Sequence, residues 1–360
     1  MAKYTWTTHK DDLKAWDVFL KATARGHYSQ LSDWLRSYES YGFGFELLLV
    51  KDDNNQIIGG LAAVIQKFAI VSLYSCSCGP ILLESHDFLA DELVERFKQR
   101  AKEIKATCCQ INIPVLAQAN LDIQPYCLPS EPSQSLVNSK KGNVIKSVTA
   151  INGFRVVSID HTSEDPKNDI LRQFNTNTRR NIKKAYKNEL TLAYAQTEQE
   201  IKEAYQIIEA NASTQGYAVR AWSDFKETLI AMVNANVCLI AMCLKDQKIK
   251  GALILFEAGQ RLTYISGGTI RETPDLKVGH FLHFEMIKLS IAKKYNFYDI
   301  SVGGSRGVTK FKEGFGGVHV KFHEPSYWVL NKTVFSMYSK LLPSLKKHKK
   351  KIANVLKFFK

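Results

Sequence analysis

Residues 303–317, GGSRGVTKFKEGFGG, bring together what anion chemistry uses: glycines at 303, 304, 307, 316 and 317, and lysines at 310 and 312. Glycine reaches positive φ and lets the backbone approach a ligand closely. If residues 308–312 are extended, the two-residue period of a strand puts Lys310 and Lys312 on one face. Such a segment suits an anion or a developing oxyanion. A glycine-rich hairpin with two solvated lysines fits the same residues. A second concentration lies at 172–187, where Arg172, Arg179, Arg180, Lys183, Lys184 and Lys187 occur without one acidic residue. On a helix Arg179, Lys183 and Lys187 fall at i, i+4 and i+8. Like charges there repel unless an anion occupies the face, so the run reads as a phosphate-binding surface, against the plainer reading of a solvated helix.

The whole chain shares this bias, with a formal charge of +14 over 360 residues. A polyanionic partner is implied: nucleic acid, a nucleotide, a diphosphate-bearing lipid or an anionic membrane. Seven cysteines, an odd number without zinc-ligand spacing, read as reduced core thiols. The longest apolar run, 237–244, is too short to span a bilayer, and the N-terminal residues carry no apolar leader, so a cytoplasmic protein is expected. Residues 346–360, KKHKKKIANVLKFFK, combine seven lysines with an apolar stripe, which suits the inner face of a membrane as well as a solvated terminus.

The elements that must position these residues read as mixed α/β. Apolar spacing predicts helices near 10–20 and 88–104, a hairpin of 46–51 with 57–67, and a buried strand at 109–113. No glycine fingerprint of a dinucleotide fold follows a strand. Residues 114–153, with Pro125, Pro129 and Pro132, read as connecting segments between halves. Beyond them, Asp165 before Pro166 predicts a helix start, and Thr197 with Glu200 a capping box. Strands at 237–245, 251–257 and 260–266, a helix at 276–294 and a parallel-type strand at 296–302 then lead into the glycine stretch.

That order resembles the GNAT acyltransferase fold, and the motifs resemble the FemABX family of peptidoglycan-bridge aminoacyltransferases. The resemblance rests on YSQLSDW at 28–34, Cys78-Gly79-Pro80, RRNIKKA at 179–185, Asp299-Ile300, and GVTKFKEGFGG at 307–317. It implies two tandem GNAT-like domains with central mixed sheets flanked by helices, at 1–150 and 151–340, followed by the basic tail 341–360. It further implies transfer of an amino acid from aminoacyl-tRNA to an amine of a nucleotide- or lipid-diphosphate-linked muropeptide, with no metal or redox cofactor.

Aminolysis of an ester needs a free amine, a donor carbonyl held near it and stabilisation of the oxyanion. Lys310 and Lys312 suit the last task, and which of them meets the substrate stays open. Under the resemblance Arg179, Arg180 and Lys183, with Asn181 beside them, grip the precursor's diphosphate or the RNA backbone, and Gly303, Gly304 and Phe311 belong to the closing wall of the cleft; the position of Tyr264, just before Ser266-Gly267-Gly268, adds it as a cleft-lining group. Ile113-Pro114 departs from the family's frequent Asp-Pro, which leaves Asn112, Glu84, Asp87 or no protein carboxylate for proton transfer. Two other readings remain: an acyl-CoA-dependent N-acyltransferase acting on amino sugars, whose phosphate loop would be the single-glycine stretch 275–281, and a non-catalytic protein with a basic groove.

Overall fold

The computed structural model describes residues 2–68, 71–117, 126–144 and 151–347, with side chains described up to residue 340. The tail 348–360 and the expected boundary near 150 lie outside the described residues.

In the first half, β1 (Lys3–Thr7) precedes helix α1 (Lys10–Ala22), which buries Leu13, Trp16 and Leu20 from one face. A single 3-10 turn at Tyr28–Gln30 and the short α2 (Ser32–Arg36) lead to strands β2 (Gly44–Lys51), β3 (Ile57–Phe68), β4 (Val71–Ser77) and β5 (Ile81–Leu82). Helix α3 (Ala90–Glu103) then connects to β6 (Cys108–Asn112), which lies parallel to β4. With β7 (Lys140–Lys141) the sheet runs β1-β2-β3-β4-β6-β15-β7, with β5 on β3. Here β15 (Ser326–Val329) arrives from the far end of the chain and pairs antiparallel with β6. The segment 326–340, expected within the second domain, therefore starts with a strand of the first sheet, and α10 (Lys332–Lys347) follows it.

The second half runs β8 (Gly153–Ser158), α4 (Pro166–Gln173), α5 (Thr176–Lys187), β9 (Thr191–Tyr194), α6 (Glu198–Gln215), α7 (Trp222–Asn234), β10 (Cys238–Lys245), β11 (Lys248–Glu257) and β12 (Leu262–Thr269). Then come α8 (Val278–Ala292), β13 (Phe297–Asp299), α9 (Arg306–Glu313) and β14 (Val318–Lys321). The sheet order is β14-β8-β13-β12-β11-β10-β9. The Asp165 cap and the Thr197–Glu200 capping box form as the residue types predict.

Two expectations differ from the structure. The basic run is two helices, because Phe174 is buried between them and Asn175 accepts from Thr178 N at 2.7 Å to cap the second; Arg172 thus belongs to α4. Residues 308–312 are helical, because Ser305 caps Val308 N and starts α9, so Lys310 and Lys312 do not share a face. The cysteines are all free and buried, as expected, and no metal-binding cluster occurs among the described residues. No described helix is long and apolar enough to cross a membrane.

One apolar cluster joins the halves: Trp16, Leu20 and Leu31 pack with Tyr205, Ile208, Phe225 and Phe256. Burial of this kind, at roughly 25 cal/mol per Å², fixes the two sheets relative to each other and holds open the cleft between them.

Candidate active site

The site begins where two parallel strands part. Strands β12 and β13 pair only at Leu262 with Tyr298 and Thr263 with Asp299, after which β12 continues to Thr269 and β13 ends. At the same level β12 bulges: Ile254 of β11 faces Ser266 while Leu255 faces Tyr264, which leaves Ile265 extra. A bulge turns neighbouring side chains off the period of two, and Tyr264 and Ile265 both border the cleft. Ser301 at φ +61°, Gly303 at +97° and Gly304 at +113° lead the chain away from β13 in left-handed conformations. At Gly304 any Cβ would also lie 2.6 Å from Val308 Cγ1, so glycine is required there twice over.

Helix α9 then returns Lys312 into the gap. Its ammonium donates to Ser301 O and Ser301 Oγ, each at 3.1 Å, and to Gly303 O at 3.2 Å, and lies 5.3 Å from the centroid of the Tyr264 ring. Burial disfavours the charge and pulls the lysine down to about 8, against the opposing attraction of Asp299. Asp299 is itself buried; its Oδ1 accepts from Arg155 N at 3.1 Å and Ser301 N at 2.9 Å. Burial raises the pKa of this carboxyl, opposed by Arg261, by the two amide hydrogen bonds and by Lys312. Behind Tyr264, His283 meets the Tyr298 hydroxyl at 2.9 Å and is held neutral, near 3, by burial and by the lysine's charge.

The facing wall comes from the first half. A cleft of about 250 Å³ lies between His27, Tyr28, Ser29, Trp34 and Tyr38 on that side and Thr263, Tyr264, Ile265, Asp299 and Ser301 on the other. Gln30 explains how the YSQLSDW stretch builds this wall. Its side chain donates to Ser77 O at 2.6 Å and Ala62 O at 3.2 Å and accepts from Ala62 N at 2.7 Å, tying the turn to β3 and β4. Asp17 holds the next turn through Ser32 N at 2.8 Å and Ser32 Oγ at 2.6 Å. With these residues facing inward, Tyr28 and Trp34 face the cleft and pack edge to face at 5.1 Å.

The residues singled out by sequence divide into two groups. Lys312, Tyr264, Gly303, Phe311 and Asn181 form a connected set: Asn181 Nδ2 lies 3.2 Å from His280 Nε2, His280 packs on Phe311 at 4.9 Å, Phe311 on His283 at 5.5 Å, and His283 on Tyr264 at 4.8 Å. Gly304 belongs to the loop between that set and α9. Lys310, Arg180 and Lys183 are instead exposed, and Arg179 is turned back on α4, donating to Phe174 O at 2.7 Å, Arg172 O at 3.2 Å and Thr176 Oγ1 at 3.2 Å. Arg179 and Lys183 border a separate groove of about 700 Å³ with Lys167, Arg172 and Lys288 over Leu171, Ile182 and Phe284. Asp299, Ser301 and His27 carried no assignment from sequence. Only Asp299-Ile300, as part of a motif, pointed to any of them. Of the carboxylate substitutes, Asp87 pairs with Arg25, Glu84 is exposed and Asn112 is buried beside Cys78; none borders the cleft.

Comparison with known proteins agrees with this geometry. The FemAB family profile matches residues 12–242, and the acetyltransferase (GNAT) domain profile matches residues 172–313. No curated protein matches the sequence. Among solved structures, FemX superposes at a TM-score of 0.75 with 15% identity, covering 92% of this chain and 99% of that one. A tandem GNAT protein from the clavulanic acid biosynthesis pathway reaches 0.52 at 9% identity, covering 91% of this chain and 98% of that one. L-PGS from Bacillus licheniformis reaches 0.54 at 10% identity, covering 91% and 95%. At these identities the likeness is one of fold, with two mixed sheets flanked by helices. The family profile's match across more than half of the chain, with the acetyltransferase domain match beside it, makes this protein a member of the FemAB family and an acyltransferase.

Proposed function

We propose that the protein transfers an amino acid from aminoacyl-tRNA to an amine of a diphosphate-linked peptidoglycan precursor. The observation that carries this reading is the buried Lys312 ammonium held behind Ser301 and Tyr264, two residues that line a cleft between two GNAT-like halves. All three ammonium donors are engaged, so the lysine acts through its neighbours. Ser301 Oγ accepts from Lys312, which leaves its own hydroxyl proton free to donate into the cleft. A hydroxyl polarised in this way is a charge-assisted donor, aimed where the oxyanion of a tetrahedral intermediate would form.

The family supports the donor and acceptor classes, and the net charge of +14 suits an RNA and a diphosphate. In this reading Arg180, Lys183 and Lys310, exposed on α5 and α9, contact the phosphates of a bound substrate without touching the reacting atoms. The GNAT domain match favours a second reading, in which an acyl-CoA is the donor and an amino sugar the acceptor. Labelled aminoacyl-tRNA and labelled acetyl-CoA, each offered with a lipid-linked muropeptide, separate the two. Incorporation only from acetyl-CoA overturns the first. Residues 346–360 would hold the enzyme at the inner membrane face, and equal sedimentation with anionic liposomes of the full chain and a form ending at residue 345 would remove that part.

A further inference from the structure

Asp299 is a buried ionisable group on the cleft, and the lysine–serine pair leaves it without a task. It stands at the last position of β13, and both of its hydrogen bonds among the described residues end on Oδ1, from Arg155 N and Ser301 N. These bonds fix the carboxylate plane and leave Oδ2 for the cleft that Asp299 lines. The charged groups around it favour its charge through space without a direct bond to it: Arg261, whose buried Nε has no hydrogen-bond partner among the described residues, and Lys312. From the start of β12, Arg261 donates to Ala24 O at 3.2 Å and Gly259 O at 3.1 Å and lies over the Phe154 ring. From α9, Lys312 is bound to Ser301 and Gly303. From β8, the Arg155 guanidinium reaches Gly317 O and Glu313. From the first half, His27 is held neutral by burial and by the charge of Arg261, and Tyr28 is a half-buried phenol whose pKa is raised by desolvation. No ion pair to Asp299 forms among the described residues.

Arg261, Lys312 and the two amide bonds offset only part of the cost of burying this carboxylate, whose pKa stays raised, and a ligand cation bonded to Oδ2 would offset more. The ligand that does so is a cation small enough for this cleft, and a substrate ammonium is one. The geometry points to Asp299 as the group that receives the proton of the acceptor's ammonium through Oδ2 and so makes that amine nucleophilic. This rests on the reading of the cleft as a site of amine acylation.

The N–H bond breaks and its proton passes to Oδ2, which leaves the nitrogen lone pair free. That pair forms the C–N bond to the donor carbonyl, whose oxygen takes the negative charge. As the intermediate collapses, the C–O bond to the donor's hydroxyl breaks and a second nitrogen proton goes to the departing oxygen. Asp299 then loses its proton to water, and ammonium plus ester has become amide, alcohol and one proton. Burial raises the pKa of Asp299 and makes it a stronger base than an exposed aspartate.

The test is the pH dependence of kcat/KM for the wild-type chain with two acceptors that differ only in the basicity of the amine. If Asp299 takes the proton, the acidic limb falls at the same pH for both acceptors. If the limb moves with the acceptor's own amine, the substrate enters already deprotonated and the inference is overturned. Asp299→Asn keeps the Oδ1 acceptor, and it should lose about 100-fold in kcat and also raise the acceptor KM, because the ammonium loses its counter-charge. Wild-type kcat in that variant also overturns the inference. Should the variant not fold, the two-acceptor profile decides alone. A wild-type chain that transfers from no donor fails the acyl-transfer reading and takes this inference with it, an outcome distinct from an active enzyme whose acidic limb follows its substrate.

Discussion

The ammonium of Lys312 donates to both the carbonyl oxygen and the hydroxyl oxygen of Ser301, each at 3.1 Å. One residue thereby holds the lysine and passes its charge toward the cleft. If the two act as one unit, their losses do not add. Lys312→Met and Ser301→Ala should each lower kcat by about 100-fold, and the double variant by little more than either alone. Additive losses in a double-mutant cycle would separate the two residues. Lys310→Ala, at an exposed position on the other side of α9, should leave kcat intact and raise the donor KM, with a weaker salt dependence.

Proton loss from Lys312 sets the alkaline side. Burial brings it to about 8 from an ordinary 10.5, so kcat should fall as pH rises through about 8, and Lys312→Arg, which keeps its charge, should remove that limb. Stability moves the other way. Between 8 and 10.5 the unfolded chain binds more protons at this residue than the native one, so the lysine's contribution to stability rises with pH across that window and is flat below it. Urea melts of wild type and Lys312→Met at several pH values test this: the wild type should gain on the variant above pH 8, and parallel curves would refute the shift.

Arg179 and Lys183 look equivalent in the sequence, one helical turn apart, yet only Arg179 is built into the fold. It donates to Arg172 O and Phe174 O at the end of α4 and to Thr176 Oγ1. Arg179→Ala should therefore cost about 1–3 kcal/mol in thermal or denaturant unfolding, since hydrogen bonds from a charged donor are lost. Lys183→Ala and Arg180→Ala should unfold like the wild type and instead weaken binding of a polyanion such as tRNA, with a shallower salt slope for each charge removed. A stability loss at Lys183 equal to that at Arg179 would contradict this division.

Local signals explain which elements were legible. Asp165 before Pro166 and the Thr197–Glu200 box each carry their structure within four residues, and both form as their residue types predict. Residues 306–313 read as extended in sequence because Gly307 weakens a helix and β-branched Val308 and Thr309 suit a strand, while the deciding feature, the Ser305 cap, is one residue. Strand β1 and helix α7 were not picked out, and the placement of β15 beside β6 depends on pairing across more than two hundred residues. The site was legible in part for the same reason. Lys312 and Tyr264 stood next to glycines, but the approach of Asp299 and Ser301 to Tyr28 and Trp34 is made only by packing one half on the other.

Gln30 offers the sharpest test of that packing. In sequence its motif, YSQLSDW, resembles a family signature. In the structure the side chain is fully buried, with its amide bonded to Ser77 O, Ala62 O and Ala62 N and none of its atoms on the cleft. Gln30→Met keeps the length but leaves the buried Ala62 N–H and carbonyl unpaired, while Ser77 O keeps its bond from Ser29 Oγ, at a cost on the order of 3 kcal/mol. The turn that carries Tyr28 and Ser29 would loosen with it, so acceptor KM should rise while the pH limbs of kcat stay in place. Tyr28→Leu, by contrast, removes a cleft-facing ring stacked at 5.5 Å on Phe256, and it should raise acceptor KM with a smaller loss of stability. A Gln30→Met enzyme that melts like the wild type but has lost turnover would mean that the glutamine reaches the substrate after all.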